Sequence, residues 1–264
     1  MAEFRSALIG HTGFVGGTLL RAGGFDELFN SSNIEQISGR SFDFLVCAGV
    51  SAAKWIANKE PEADRAGIAR LTRALQAVNV REFILISTVD VYPDPTSGAD
   101  ETTQIDPSSN HAYGANRYAL EKWVQDRFPG AHVVRLPALF GEGLRKNALF
   151  DLLNENNVSG INPLGEFQWY PMPRLAEDLK RVLEAGLSLV NLVPDSLPMR
   201  DIIDACFPQS EVGPESEPAP RYNLRTRHAE LFGGKDGYIL DASTALGEIA
   251  LYVAAERRRT RKQG

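Results

Sequence analysis

Three side chains of this sequence have the types and the spacing to transfer a proton together. Thr88 ends the apolar run EFILIST, and Tyr113 lies four residues ahead of Arg117 in HAYGANRYALEKW. Residues four apart share one face of a helix, so we expect the phenol and the guanidinium side by side. A phenol has a reference pKa of about 10 and needs a nearby cation to work as an acid or base near neutral pH. The pattern predicts a proton-transfer site.

Short apolar runs alternate with helix-like segments and must position these residues. The runs are continuous, which is typical of strands covered on both faces. They are 6–10, 43–49, 82–87 and 132–136, and the helix-like segments between them are GGTLLRAG, 63–78 and 116–128. This order predicts an α/β fold, a Rossmann-like doubly wound parallel sheet with right-handed crossovers.

The pattern loosens after residue 138 into loops rich in Asn, Gly and Pro, and then an amphipathic segment and an apolar run return. We therefore expect residues 1–138 and 174–196 to form the dinucleotide-binding domain. Residues 139–173 and 197–264 are expected to form a smaller, interleaved substrate-binding lobe with a closing C-terminal helix.

A glycine loop stands between the first run and the first helix, in ALIGHTGFVGG. Gly10 permits a tight turn, Gly13 lets backbone N–H groups approach a pyrophosphate, and Gly16 lets the helix pack against the strand. A strand before the loop and a helix after it make this a predicted dinucleotide site. The expected loop contacts are Gly10, Thr12, Gly13, Phe14, Val15 and Gly16.

The position that holds a ribose-binding acid in NAD sites is polar but uncharged here. The segment contains Asn30, Ser31 and Ser32 where the carboxylate is expected. Because this segment has no carboxylate at the expected position, nothing there would repel a 2′-phosphate, and Arg40 is available to bind one. The sequence therefore favours NADP(H) over NAD(H). Glu35 could still be the missing acid, which leaves NAD open.

Together these motifs resemble the extended short-chain dehydrogenases/reductases of the NAD-dependent epimerase/dehydratase family. The similarity covers residues 6 to about 205 and lies in the glycine loop, in Ser87–Tyr92 and in Tyr113–Arg117, where the family has Tyr-x-x-x-Lys. It implies that Thr88, rather than Ser87, is the catalytic hydroxyl. Further cofactor contacts expected on this basis are Ala48, Gly49, Tyr113, Arg117, Leu136 and Pro137.

The resemblance is strongest to nucleotide-sugar 4-ketoreductases, which implies an NAD(P)(H)-dependent enzyme that reduces a keto-sugar. Two features support it: the short stretch before DFLVCAG and the segment SAAKWIANKEPEAD after it. An epimerase is the alternative, and a dehydratase is disfavoured because Val89-Asp90 replaces an acidic pair. A non-catalytic sensor or scaffold is the third reading, because the lysine is lost. Expected substrate contacts are Thr88, Lys146, Asn147, Gln168, Trp169 and Tyr170.

The composition of this 264-residue chain limits the classes of partner that we expect it to bind. A net charge of −6 opposes nonspecific attraction to nucleic acid. No run approaches the roughly 20 apolar residues of a membrane span, and the start lacks a leader pattern, so we expect a cytoplasmic protein without membrane contact. The four histidines show no metal-ligand spacing, and no metal is assigned. The expected partner is a nucleotide-sugar, and a homodimer is left open.

Overall fold

Strands and helices alternate along the chain, as the sequence pattern predicts. The structure, a computed structural model, describes residues 4–263. The strands are β1 (Ser6–Ile9), β2 (Glu27–Phe29), β3 (Ser41–Cys47), β4 (Asn79–Thr88), β5 (His132–Leu136), β6 (Ala138–Phe140), β7 (Glu166–Pro171), β8 (Leu189–Asn191) and β9 (Ser196–Pro198). The α-helices are α1 (Phe14–Ala22), α2 (Lys54–Lys59), α3 (Pro61–Leu75), α4 (Ala112–Arg127), α5 (Ala148–Asn154), α6 (Leu175–Glu184), α7 (Met199–Cys206) and α8 (Ala242–Gln263).

The first of two compact units contains a six-stranded parallel sheet. It comprises the chain up to Asp94, with Thr102–Leu136 and Ala176–Asn191. The strand order is β2-β1-β3-β4-β5-β8, and every pair is parallel. The order reverses between β1 and β3, so the carboxyl ends of these strands flank the switch point at which doubly wound folds bind ligands. The predicted Rossmann-like α/β fold is confirmed.

The core of this unit explains why its strands are continuous apolar runs. Leu8, Leu45 and Leu85 lie in three central strands and are at most 1% exposed. Leu75 of α3 and Leu120 of α4 are buried as well and pack in the same cluster as Leu45 and Leu85. Burying one such side chain stabilises the fold by about 1.5–3 kcal/mol, so a polar residue on either face of these strands would be costly.

The second unit contains a small three-stranded sheet. It comprises Pro95–Glu101, Pro137–Leu175 and the chain from Leu192 onward. In this sheet β7 lies in the middle, parallel to β6 and antiparallel to β9. Its core combines side chains of the sheet with those of α5, α7 and α8: Phe140, Leu149, Trp169, Ile202 and Ile249. The expected role of this unit in substrate binding stays a prediction.

Candidate active site

The glycine loop between β1 and α1 requires glycine at two positions for steric reasons. Gly10 has a φ of +88°, and a Cβ atom there would lie 2.3 Å from the carbonyl oxygen of Ala48. A Cβ atom at Gly16 would lie 2.1 Å from the carbonyl oxygen of Gly10. Both distances are too short for any real contact. Gly10 therefore lets β1 turn beside the end of β3, and Gly16 lets α1 pack onto that turn.

Gly13 has a different environment, because the protein's own packing does not require glycine there. It is the N-cap of α1, and a Cβ atom would meet nothing closer than the carbonyl oxygen of Gly10 at 3.4 Å. The first N–H groups of a helix lack acceptors within the helix, and its positive end attracts anions. The loop thus fits a dinucleotide pyrophosphate, which Gly13 would admit beside Thr12, Phe14 and Val15.

The other predicted cofactor positions of this unit lie at the same edge of the sheet. Ala48 and Gly49 follow β3, and the N–H of Ala48 donates to the carbonyl oxygen of Ile9 at 2.9 Å. The N–H of Gly10 donates to the carbonyl oxygen of Phe29, the last residue of β2, at 2.8 Å. The carboxyl ends of β1, β2 and β3 therefore meet around the glycine loop, where folds of this class bind dinucleotides.

The turn after β2 is built from the polar side chains singled out in the sequence. Asn30 Oδ1 accepts hydrogen bonds from the Ser32 N–H at 2.8 Å and the Ser32 hydroxyl at 2.6 Å, and Ser31 is exposed. Glu35 is the residue that could be the ribose-binding acid of an NAD site. Its side chain is exposed and forms an ion pair with Arg70 at 2.5 Å. The hydrogen bond from Arg70 lowers the pKa of Glu35.

Thr88 and Tyr113 lie close together at the centre of the site. Thr88 ends β4, its hydroxyl lies beside the Tyr113 phenol, and it accepts a hydrogen bond from the Asp90 N–H at 3.1 Å. Tyr113 lies in the first turn of α4, is only 7% exposed, and donates its N–H to the side chain of Asn58 at 2.9 Å. Burial raises the pKa of Tyr113, although the charge of Arg117 acts in the opposite direction. The phenol is therefore protonated at neutral pH.

Arg117 forms a buried ion pair with Asp64 of α3. Its Nη1 and Nη2 donate to the two carboxylate oxygens at 2.5 and 2.8 Å. Nη2 also donates to the carbonyl oxygen of Ser51 at 2.6 Å, and Nη1 to that of Tyr113 at 3.3 Å. The side chains of Arg117 and Asp64 are 4% and 8% exposed. All four N–H bonds of Nη1 and Nη2 thus have acceptors within the protein.

The same guanidinium stacks on the tyrosine that it follows. The Cζ atom of Arg117 lies 3.9 Å from the centroid of the Tyr113 ring, and a desolvated contact of this kind stabilises by about 2 kcal/mol. Burial alone would raise the pKa of Asp64, but hydrogen bonds from Arg117 and Asn116 more than offset it and lower that pKa. Asp64 is therefore ionised at neutral pH and balances the charge of Arg117.

A second, more exposed cation belongs to the same site. Lys54 begins α2, and its ammonium contacts the carboxylate of Asp90 at 2.7 Å, with side-chain exposures of 37% and 17%. His111 caps α4 by accepting the N–H of Gly114 on Nδ1 at 3.0 Å. Burial, and then the charge of Lys54, lowers the pKa of His111. The charge of Lys54 also acts to lower the pKa of Tyr113, so Lys54 influences both rings at the start of α4.

A buried polar network anchors the end of β4. Glu121 of α4 accepts a hydrogen bond from the Ser87 hydroxyl at 2.5 Å and pairs with Nε and Nη2 of Arg135 at 3.0 and 2.6 Å. Arg135 also donates to the Tyr92 hydroxyl at 2.8 Å. The bond from Ser87 to Glu121 thus ties the end of β4 to α4, the helix that carries Tyr113. Leu136, a predicted cofactor contact, pairs with Thr88 across β4 and β5.

The remaining predicted contacts lie in the second unit, in its segment Pro137–Leu175. Gln168, Trp169 and Tyr170 are at most 2% exposed, and the Gln168 amide makes three hydrogen bonds to backbone groups. Asn147 caps α5 by accepting two backbone N–H bonds, whereas Lys146 is exposed. Gln168 and Asn147 thus have structural roles, and substrate contact by these five residues stays a prediction.

The sequence reasoning missed Asp64, Lys54 and Glu121 as parts of the site. Glu121 lies four residues after Arg117, so helical spacing places both on one face of α4, and that signal was usable. Asp64 and Lys54 belong to other helices. Nothing in their local sequence marks them, and only the fold brings them to Arg117 and Asp90.

A family model matches this chain over residues 27–160, just over half of its length. The model describes the NAD-dependent epimerase/dehydratase family, an enzyme family, and the match includes Thr88, Tyr113 and Arg117. The chain belongs to this family. The match to the epimerase/dehydratase family begins after the glycine loop, whose geometry is described above. No curated protein matches the chain in sequence.

Solved structures with the same fold cover nearly the whole chain. A UDP-N-acetylglucosamine 4-epimerase from Methanobrevibacter ruminantium M1 is 13% identical with a TM-score of 0.73, over 98% of this chain and 100% of that one. A dTDP-4-dehydrorhamnose reductase from Clostridium acetobutylicum is 14% identical with a TM-score of 0.70, over 96% and 100%. TunA, an NAD-dependent NDP-hexosamine 5,6-dehydratase, is 19% identical with a TM-score of 0.73, over 97% and 98%. At such identities the likeness shows a shared fold.

Three other features of the described residues bear on the class of protein. Between residues 4 and 263, no helix is both long and apolar enough to cross a membrane. The same part of the chain has no group of three His, Cys, Asp or Glu side chains arranged to hold a metal ion. Cys47 and Cys206 are buried free thiols.

Proposed function

We propose that this protein is an NAD(P)H-dependent reductase of a keto group on a nucleotide-linked sugar. Family membership supports the class, and one observation supports the direction: Tyr113 is a buried, protonated phenol beside the Thr88 hydroxyl. Reduction of a ketone adds a hydride to carbon and a proton to oxygen. A reduced nicotinamide, when bound, supplies the hydride. Tyr113 gives the proton, while Thr88 hydrogen-bonds the same carbonyl oxygen.

The protonation state of Tyr113 favours reduction over epimerisation. An epimerase that first oxidises a hydroxyl needs the tyrosine as a phenolate base, whereas a reductase needs it as a neutral acid. Burial raises the pKa of Tyr113, so at neutral pH the acid is abundant and the base is scarce. A positioned acid or base contributes on the order of 10² to 10⁴ in rate.

The surroundings of Asp90 argue against a dehydratase. Elimination of water needs a further acid or base near the sugar, and Asp90 is the acid nearest in sequence to Thr88. Its carboxylate contacts Lys54 at 2.7 Å, and its N–H donates to Thr88. The preceding residue is Val89, so this segment offers one engaged acid rather than the acidic pair that a dehydratase would have.

A non-catalytic NAD(P)-binding protein is the second candidate, because one observation favours it. In the family motif a lysine would follow Tyr113 by four residues, and here Arg117 uses its Nη donors on Asp64 and on backbone carbonyls. Those donors cannot also serve ribose hydroxyls. The retained Thr88 hydroxyl beside the phenol supports the enzyme over this alternative.

We infer that NADPH is preferred to NADH. Glu35 is engaged by Arg70, so its carboxylate is a poor partner for a ribose 2′-hydroxyl. Ser31 offers an exposed hydroxyl in the turn after β2. Arg40 is 39% exposed, is paired with Glu27, and lies 5.6 Å from the ring of Phe29, the last residue before the turn. A 2′-phosphate would meet a guanidinium and hydroxyls there.

The test is a stoichiometric assay with NADPH and a panel of nucleotide-linked 4-keto sugars that includes dTDP-4-dehydrorhamnose. A reductase oxidises one NADPH for each product molecule. An epimerase changes a sugar without net oxidation of the cofactor, and that result would replace reduction by epimerisation. If the folded protein binds NADPH in calorimetry but converts no member of the panel, the non-catalytic candidate takes precedence.

A further inference from the structure

Three polar residues lie side by side near the carboxyl ends of neighbouring strands. Ser87 of β4 pairs in register with Arg135 of β5, and Arg135 pairs with Asn191 of β8. We call these three residues the polar row. The row crosses β4 one residue before Thr88, at the edge of the sheet where the candidate site lies. Polar groups inside a sheet of apolar runs must have hydrogen-bond partners, since a buried group without one is costly.

Glu121 of α4 binds two members of the polar row. Its carboxylate accepts the Ser87 hydroxyl at 2.5 Å, and it accepts Nε and Nη2 of Arg135 at 3.0 and 2.6 Å. Tyr92, in the turn after β4, binds the other end of the row. Its hydroxyl accepts from Nη1 of Arg135 at 2.8 Å and from the amide of Asn191 at 2.9 Å. Direct hydrogen bonds thus join α4 to β4 and β5, and join β5 to β8 through Tyr92.

The helix α4 is attached to the end of β4 at a second point, near its first turn. The side-chain amide of Asn110 donates to the carbonyl oxygen of Asp90 at 2.9 Å. A Cβ atom at Gly114 would lie 2.1 Å from the same oxygen, so the first turn packs directly on the turn after β4. Tyr113 lies in this first turn, and Glu121 follows eight residues later, about 12 Å along the helix axis. Two attachments this far apart fix the tilt and the rotation of the helix as well as its position.

Stability alone does not favour the ion pair of Glu121 and Arg135. The two residues are 1% and 3% exposed. Burying both charges costs about as much as their attraction returns, and apolar side chains of similar volume often stabilise a core equally well or better. Hydrogen bonds have preferred distances and angles, whereas apolar contacts are not directional. A fully bonded buried network therefore specifies one arrangement of the elements that it joins.

From these contacts we propose that Glu121 is a positioning residue of the candidate site. By bonding Ser87 and Arg135, it holds α4 at one rotation on β4 and β5. That rotation sets the place of the Tyr113 phenol relative to the Thr88 hydroxyl. The inference rests on the proposed function, because the separation of these two hydroxyls matters for turnover only if both serve one carbonyl oxygen.

The first experiment needs no substrate. Removing one charge alone would leave the other buried without its partner and would destabilise the fold. We therefore exchange the whole connection at once, with Ser87→Ala, Glu121→Leu and Arg135→Met in one protein, the apolar variant. It should unfold at the urea concentration of the parent or higher. Crystal structures of both should differ by more than about 0.5 Å in the separation of the Thr88 and Tyr113 hydroxyls, the tolerance of a catalytic constellation. An unchanged separation overturns the inference.

The second experiment measures turnover of the apolar variant, with NADPH and dTDP-4-dehydrorhamnose as the probe. Its kcat should fall on the order of 10²-fold, the loss that a misplacement of about 1 Å can cause. Its KM for the sugar should stay close to that of the parent, because Glu121 acts through α4 and not by contact with the sugar. A purely structural role would change the urea midpoint and leave kcat unchanged. A kcat equal to that of the parent overturns the inference.

A single substitution tests the same connection while the ion pair stays in place. Ser87→Ala removes one hydrogen bond to Glu121, so kcat should fall by less than in the apolar variant. Ser87→Thr keeps a hydroxyl at the same position of β4 and should recover most of kcat. Ser41→Ala, at an exposed serine of β3, is the matched control. Equal kcat for Ser87→Ala and Ser41→Ala overturns the inference, even if the apolar variant does not fold.

The two levels of the account fail separately. If Tyr113→Phe turns over as fast as the parent, the proposed function is wrong, whatever Glu121 does. If Tyr113→Phe is inactive but the apolar variant and Ser87→Ala keep the kcat of the parent, only the role of Glu121 is wrong. If the parent does not reduce dTDP-4-dehydrorhamnose, the two crystal structures decide: a changed separation of the hydroxyls supports the positioning role, and an unchanged one overturns it.

Discussion

Asp64 and Arg117 form a two-point ion pair inside the protein, at the place where the family motif would have a lysine beside the tyrosine. The planar guanidinium matches both carboxylate oxygens, at 2.5 and 2.8 Å, which a lysine ammonium cannot do. The exchange of lysine for arginine therefore goes together with an acid on α3 that fits the larger group. Arg117 therefore still places a positive charge beside Tyr113, but the carboxylate of Asp64 balances that charge.

Removal of the acid should destabilise the fold. Asp64→Asn leaves Arg117 as a buried cation without its counter-ion, and breaking a buried pair from one side costs about 3–5 kcal/mol. Urea unfolding at pH 7 measures the loss. Glu62→Gln, on the same helix with a carboxylate 79% exposed, should stay within about 0.5 kcal/mol of the parent. Equal stability of Asp64→Asn and Glu62→Gln would contradict a structural role for the pair.

The difference between Asp64→Asn and the parent should also depend on pH. The pKa of Asp64 is lower in the folded protein than in the unfolded chain, where a carboxyl titrates near about 3.9. Its contribution to stability is therefore complete above the unfolded value and is lost as the pH falls through the folded value. The difference between the two unfolding free energies should be constant from pH 7 to about pH 5 and should begin to narrow as the pH falls below about 4. A constant gap would show that the carboxylate charge is not involved.

Two substitutions of Arg117 separate its charge from its shape. Arg117→Lys keeps a cation beside Tyr113 and should retain turnover, but it should be less stable because an ammonium cannot satisfy both oxygens of Asp64. Arg117→Met removes the charge that lowers the pKa of Tyr113, so turnover should fall and the tyrosine should ionise at higher pH. Turnover and its pH profile are the measurements. Identical profiles for Arg117→Met and the parent would exclude an electrostatic role.

Two glycines of the loop should respond differently to substitution. Gly13→Val should leave the fold intact, because the loop itself has room for a Cβ atom. It should abolish NADPH binding in calorimetry, because the valine side chain would occupy the position of the pyrophosphate. In Gly16→Val the new Cβ atom would meet the backbone of Gly10, which costs at least the upper end of the 1–3 kcal/mol typical of overpacking. Unchanged NADPH affinity in Gly13→Val would mean that the loop is only a turn.

The preference for NADPH should be reversible at the turn after β2. Ser31→Asp places a carboxylate where it would repel a 2′-phosphate and accept a bond from a ribose 2′-hydroxyl. We expect the ratio of NADPH to NADH affinity to fall on the order of 10-fold, or about 1.4 kcal/mol. Ser38→Asp, an exposed serine near the same turn, is the matched control. Tighter binding of NADH by the parent would show that another acid holds the ribose.

The sheet could be predicted from the sequence because its central strands are continuous apolar runs. The runs at 6–10, 43–49, 82–87 and 132–136 correspond to β1, β3, β4 and β5 within about three residues at each end. Among the strands that were not predicted, β2 and β9 are three residues long, whereas β7 has six residues. A segment of three residues has no periodicity to recognise, and only its pairing partner makes it a strand.

The meeting of Thr88, Tyr113 and Arg117 was also predictable, since it follows from a strand end and a helical spacing of four. The protonation state of the Tyr113 phenol could not be predicted from the sequence. It depends first on burial of Tyr113 and also on the charges of Asp90 and Lys54, which only the fold brings near the phenol. We expected the arginine to lower the pKa of Tyr113, and it does act in that direction, but burial outweighs it. Sequence spacing predicts which residues lie beside a group, but it does not predict how far those residues bury the group from solvent.

The most direct test of the account is the rate of NADPH oxidation by the parent and by Tyr113→Phe with a panel of nucleotide-linked 4-keto sugars. The phenylalanine ring preserves the packing under Arg117 and removes only the hydroxyl that lies beside Thr88. We predict that the parent reduces at least one sugar and that Tyr113→Phe loses on the order of 10² to 10⁴ in turnover while still binding NADPH. Turnover by Tyr113→Phe at the parent's rate would contradict the role of Tyr113 as the acid.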